Sequence, residues 1–105
     1  IMGTPSYMSP EQIAGQKVDG LSDLFSLGVV FFELLTGEKP FAGESITTLI
    51  YNITSTPPQS LRSLMPDMPE AFEPIIQKLL AKDKAMRYQR GKELAEELHA
   101  VMKTL

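Results

Sequence analysis

S-D-L-F-S-L-G-V-V-F-F-E-L-L-T-G, residues Ser22 to Gly37, is the stretch whose reading decides the fold. Ser22 is a good helix N-cap, because its hydroxyl can accept a bond from an orphan N–H of the first turn. Asp23 then lies at the positive end of the helix dipole. Gly37 stands where a left-handed residue would stop the helix, and Pro40 follows. Between these ends Leu24, Phe25, Leu27, Val29, Val30, Phe31, Phe32, Leu34 and Leu35 point all round the axis, which predicts a helix buried on every side. Asp23, Ser26 and Glu33 interrupt it, and it is too short to span a bilayer. The expected architecture is therefore one buried central helix with the rest of the chain packed around it.

The flanks supply the packing. Ile1 to Tyr7 has no period and carries Gly3 and Pro5, so it reads as loop. Ser9-Pro10-Glu11-Gln12 predicts a short helix, with Ser9 as N-cap, Pro10 in the first position and Gln12 closing a capping box. Downstream of Gly37, Phe41 is a lone large apolar residue in a loop and is expected to plug back into the core. Ser45 caps a helix with Ile46, Leu49, Ile50 and Ile53 on one face. Thr54 to Met68 contains Pro57, Pro58 and Pro66 and reads as a long connector. Phe72, Ile75, Ile76, Leu79 and Leu80 recur at helical spacing, with Pro74 tolerable only in a first turn. Lys82 to Tyr88 is a polar turn, and Leu94, Leu98, Val101, Met102 and Leu105 line a last helix. No strand is convincing. The fold class is all-α, about five helices.

Composition narrows the function classes. At 105 residues and 43% hydrophobic content the chain is globular and holds one domain or part of one. A net charge of −3 with scattered basic residues argues against nucleic acid as partner. With no cysteine there is neither a disulfide framework nor a thiolate metal site, and the single histidine, His99, reads as a solvated helix-face residue. No signal peptide or membrane-spanning run is visible.

Four pieces stand in a telling order: G-T-P-S-Y-M-S-P-E (Gly3 to Glu11), S-D-L-F-S-L-G-V (Ser22 to Val29), L-T-G-E-K-P-F (Leu35 to Phe41) and R-Y (Arg87, Tyr88). Together they resemble the C-terminal half of the large lobe of a serine/threonine protein kinase, of the bacterial eukaryotic-like type. The resemblance covers essentially residues 1–105, read as one partial kinase domain with no second domain. One departure is Lys84, where the family usually has proline after the residue matching Asp83.

The resemblance implies roles. Gly3, Thr4, Pro5, Ser6 and Tyr7 match the end of the activation segment, which faces the protein substrate, and the position of Thr4 supports the catalytic loop. Thr4 is otherwise an ordinary turn threonine. Asp23 matches an aspartate that holds the catalytic-loop backbone, beside its plain role at the helix dipole. Val30 and Leu34 match positions under the internal hydrophobic spine, and both also read as plain core. Glu33 matches a glutamate that in some members reads basic substrate residues; it reads equally as an exposed edge. Glu11 and Arg87 match a buried ion pair, the guanidinium fork fitting the carboxylate; the alternative is two independent surface charges.

The glycine-rich loop, strand lysine, H-R-D loop and D-F-G aspartate of a kinase do not occur in this sequence. ATP and magnesium are therefore implied for the parent enzyme, which phosphorylates protein serine and threonine, and not for these residues, which are expected to be inactive alone. Opening at Ile1 inside a motif, the chain is expected to be a piece whose partner is the missing remainder of the domain. A stand-alone helical interaction module or pseudokinase remnant is the alternative. Apolar surface around Leu24, Leu27 and Phe31, with Asp23, is expected to be uncovered and to drive self-association. The expected compartment is cytoplasmic, with no membrane contact by this segment.

Overall fold

The computed structural model describes residues 5–105; the expectations for Gly3 and Thr4 fall outside them. Among the described residues there are six α-helices, two short 3-10 turns and no strand. The helices are α1 (Pro10–Ile13), α2 (Gly20–Thr36), α3 (Ile46–Ser55), α4 (Leu61–Leu64), α5 (Phe72–Leu79) and α6 (Gly91–Met102); the 3-10 turns are Pro5–Tyr7 and Lys84–Met86. Helix α4 adds a turn to what the prolines suggested was irregular connector. Leu61 causes it: the side chain is 1% exposed in the main core, which holds the surrounding turn in place.

Helix α2 starts earlier than the sequence suggested. Asp19, not Ser22, is its N-cap, accepting from the Leu21 N–H at 3.0 Å. Ser22 sits three residues on and closes the reciprocal bond, its Oγ accepting from the Asp19 N–H at 3.4 Å. The other end matches expectation: Gly37 has φ 77°, a left-handed conformation that costs glycine no Cβ clash, and its N–H bonds to the Glu33 carbonyl. The capping box of α1 likewise forms between Ser9 and Gln12.

The central helix is not buried on every side. Phe25, Gly28, Val29 and Phe32 share a buried stripe at near-helical spacing. Gly28 lets α2 approach α5 closely, for a Cβ there would lie 2.8 Å from the Leu79 Cβ. Around the stripe pack Phe41, Leu49, Ile53, Leu61, Ile76 and Leu80. Phe41 does plug back, stacking on Phe25 with ring centroids 5.9 Å apart. A smaller cluster of Ile75, Leu79, Tyr88 and Leu94 joins α5 to α6. The opposite face of α2 carries Asp23, Leu27, Val30 and Leu34, all exposed. Val30 at 40% and Leu34 at 79% exposure correct the core reading of both. All-round apolarity marks a helix that is to be enclosed, but here only one flank meets other helices. Leu24 and Phe31 are half-covered by the α5–α6 cluster, so the uncovered surface is centred on Leu27, Val30 and Leu34 instead. Ile46, Met102 and Leu105, read as inward-facing, are also exposed, since each lies at or beyond an element's end.

Candidate functional site

Arg87 is the hub of the interior. It leaves the 3-10 turn Lys84–Met86 in an extended conformation, which carries its side chain back beneath α2. Its fork meets the carboxylate of Glu11, whose place in the first turn of α1 is set by the Ser9–Pro10 start. Nη1 donates to Oε2 at 2.7 Å and Nη2 to Oε1 at 2.9 Å, with the two side chains 0% and 3% exposed. The remaining valences are nearly all used. Arg87 also donates to the carbonyls of Ala81, Leu21 and Lys82, and its guanidinium lies 4.9 Å from the centroid of Phe25. The Ser22 hydroxyl donates to Glu11 Oε2 at 2.6 Å. Burial pushes the Glu11 carboxyl up, but the bonds from Arg87 and Ser22 outweigh it and hold the group at about 2. Arg87 and Glu11 are thus 76 residues apart in sequence and share one buried, bidentate contact. The network joins α1, the start of α2 and the turn after α5.

Pro5, Ser6 and Tyr7 form a 3-10 turn laid across α2, with Pro5 and Ser6 buried. The Ser26 hydroxyl donates to the Tyr7 carbonyl at 2.6 Å, and the Tyr7 hydroxyl donates to the carboxylate of Glu33. That bond to Glu33 raises the Tyr7 pKa above its ordinary value. Of the residues that resemblance ascribes to the substrate-facing end, Tyr7 and Glu33 are therefore in contact. Glu33 is neither free nor a bare surface charge: it anchors this turn to the central helix. Asp23 lies nearly three turns from Glu33 on the exposed face of α2, in a shallow depression bordered by Leu24, Leu27 and Arg90.

Several anchoring residues escaped the sequence reading. Lys84, the departure from the family pattern, reaches back 67 residues to the Lys17 carbonyl at 2.9 Å and to Asp19 Oδ2 at 3.2 Å. This bond to Lys84 holds the Asp19 carboxyl below its usual range. Lys82 donates to the carbonyls of Asn52 and Ile53 at the end of α3 and lies over the ring of Phe41. Burial lowers its pKa to about 8. Ser22 and Ser26 carry hydroxyls inside an apolar run, and that was the one available signal for them. Nothing local marks Lys82 or Lys84, whose acceptors are distant in sequence.

Among the described residues no three His, Asp or Glu side chains converge as metal ligands, and no helix is long and apolar enough to cross a membrane.

Comparison with known proteins gives the family. A family model of the protein kinase domain matches residues 1–100. The chain is 38% identical over 97% of its length to a probable serine/threonine-protein kinase PknB of Bifidobacterium longum, of which it covers 15%. It is 39% identical over 96% of its length to the serine/threonine-protein kinase PknA of Mycobacterium tuberculosis, covering 23% of that protein. In three dimensions it resembles the twitchin kinase region from C. elegans, with a TM-score of 0.77 and 27% identity, over 91% of this chain and 17% of that one. The chain belongs to the protein kinase domain family, and as a helical fragment of it. It spans less than a quarter of the length of these bacterial relatives.

Proposed function

We propose that these residues are part of a serine/threonine protein kinase that transfers the γ-phosphate of ATP to protein hydroxyls, and that they form the base on which its catalytic loop and protein substrate are held. The observation that carries this reading is the line Asp23, Leu27, Val30 and Leu34 along the exposed face of α2. A carboxylate followed by three apolar side chains on one helix face is suited to seating a folded partner. The remainder of a kinase domain is such a partner. Asp23 would accept bonds from the backbone of the catalytic loop, and Val30 and Leu34 would support the apolar spine.

The turn Pro5–Tyr7 supports the substrate side of the same reading. It is tied to α2 through Ser26 and Glu33, which anchors this end of the segment on the central helix. Glu33 acts here as a positioning residue for Tyr7. Kinases of this family generally use ATP and magnesium, which supply the phosphoryl group and neutralise its charge. The part of the residues described here in that reading is positioning. Use of ATP puts this segment on the cytoplasmic side of any membrane to which the parent is attached.

The test is a graft. The matching segment of the M. tuberculosis PknA kinase domain is replaced by this chain, and phosphate transfer to a serine/threonine peptide is measured. Transfer within roughly tenfold of the unmodified kinase is expected, with Asp23→Ala losing most of it. A graft that folds and binds ATP but transfers nothing overturns the reading in favour of a pseudokinase remnant or an interaction module.

A further inference from the structure

Lys84 stands where the family usually has proline, and the backbone there would accept one. Lys84 opens the 3-10 turn Lys84–Met86, and among the described residues its N–H makes no hydrogen bond. Asp83 before it is extended, with φ −83° and ψ 123°. A first turn position with an idle N–H suits proline, and an extended backbone suits the residue before proline. What lysine adds at this position is therefore its side chain. The ammonium reaches across to the Lys17 carbonyl at 2.9 Å and to Asp19 Oδ2 at 3.2 Å. Residues 14–18, which lead into α2, are all exposed, so little apolar packing holds the approach to that helix.

Asp19 and Asp23 border the same depression beside Leu24, Leu27 and Arg90. They are four residues apart, a spacing at which like charges on a helix repel. Both oxygens of Asp19 are engaged, Oδ1 by the Leu21 N–H and Oδ2 by Lys84. Among the described residues Lys84 is the one cation within ion-pair distance of either aspartate, and Arg90 pairs with neither. We propose that Lys84 is a positioning residue for Asp23: by neutralising Asp19 it leaves Asp23 as the single uncompensated carboxylate of the depression, to which the backbone N–H groups of the catalytic loop are drawn. This rests on the kinase reading given above. Without Lys84, Asp19 would stand in the depression as a second bare charge. The two carboxylates would then compete for the same donors and divide the loop between two seats. Proline at this position could not supply the compensating charge.

The test uses the grafted kinase, with kcat and the KM for the peptide measured separately and folding checked by circular dichroism. Lys84→Pro loses no backbone hydrogen bond, and it is expected to lower kcat about threefold, the scale of a partly exposed ion pair. The KM for the peptide is expected to hold, because the loop and not the peptide is displaced. Lys84→Arg, which keeps the charge, is expected to keep kcat. Adding Asp19→Asn to Lys84→Pro is expected to restore it, since asparagine caps a helix as aspartate does but carries no charge to compete. A folded Lys84→Pro graft with unchanged kcat would overturn the inference. So would a loss that Asp19→Asn does not restore, which would make Lys84 a mechanical tether only. If Lys84→Pro fails to fold, the comparison of Lys84→Met with and without Asp19→Asn decides in the same way. A graft that is inactive before any substitution overturns the kinase reading and this inference with it, whereas an active graft indifferent to these changes overturns the inference alone.

Discussion

Removing either member of the Glu11–Arg87 pair is expected to be among the most damaging single changes in the chain. Both side chains are essentially inaccessible to water, and the contact is bidentate. Breaking a buried pair strands a charge at about 3–5 kcal/mol. Against a total stability of roughly 5–15 kcal/mol for a domain, that brings the fold near its limit. The two truncations are not equivalent. Glu11→Ala leaves Arg87 its three carbonyl acceptors, whereas Arg87→Ala strips the carbonyls of Ala81, Leu21 and Lys82 of a donor as well as Glu11 of its partner. Arg87→Ala is therefore expected at the upper end of the range and Glu11→Ala at the lower. The double variant is expected to cost up to about 3 kcal/mol less than the sum, because the second change relieves a charge the first had stranded. Arg87→Lys, keeping the charge without the fork, is expected to fall between wild type and Arg87→Ala. Urea denaturation followed by circular dichroism reads all four. Small, additive effects would refute the coupled network.

Acid unfolding tests the same group: the folded pKa of Glu11, about 2, lies below its ordinary 4.5, so its contribution is complete above pH 4.5 and is lost as pH falls towards 2; Glu11→Gln removes that dependence. Gly28→Ala is expected to cost about 1–3 kcal/mol in urea denaturation, because the new methyl would meet the Leu79 Cβ at 2.8 Å and the Leu80 Cδ2 at 3.0 Å, pushing α2 off α5. Lys82 acts in alkali: its folded pKa of about 8 lies below the ordinary 10.5, so the unfolded chain binds more protons in between and stability rises with pH above 8. That rise is read from the urea midpoint between pH 8 and about 10, before Tyr7 and Tyr88, whose phenols are held above their usual 10.0, pull the other way. Light scattering at several concentrations is expected to show self-association through the Leu27–Val30–Leu34 face, and Leu34→Glu is expected to abolish it; a strictly monomeric mass that binds no hydrophobic dye would refute exposure of that face.

Local chemistry was legible in the sequence. The Ser9–Gln12 capping box, the stop at Gly37, the cap at Ser45 and the confinement of Pro74 to a first turn each depend on residues within a few positions of one another. The inward return of Phe41 was legible because a lone phenylalanine in a polar loop has one favourable destination. Motif order pointed to the kinase family and so to Glu11 and Arg87 as partners, which no local pattern could connect.

Tertiary structure decided the rest, and the physical reason is the same in each case. Apolarity all round α2 states that the helix is to be enclosed, but which side this chain encloses depends on where α5 lies; Phe25 and Phe32 took that side, and Val30 and Leu34 were left in solvent. Asp19 displaced Ser22 as the cap because the Ser22 hydroxyl, turned inwards, was taken by Glu11 from another helix. Lys82 and Lys84 bind carbonyls and a carboxylate 29 to 67 residues away, and a flexible ammonium leaves no periodic trace of such partners. Sequence spacing determines which groups share a turn or a face; only the packed chain determines which groups are shut away from water together, and burial sets the strength of the Glu11–Arg87 contact.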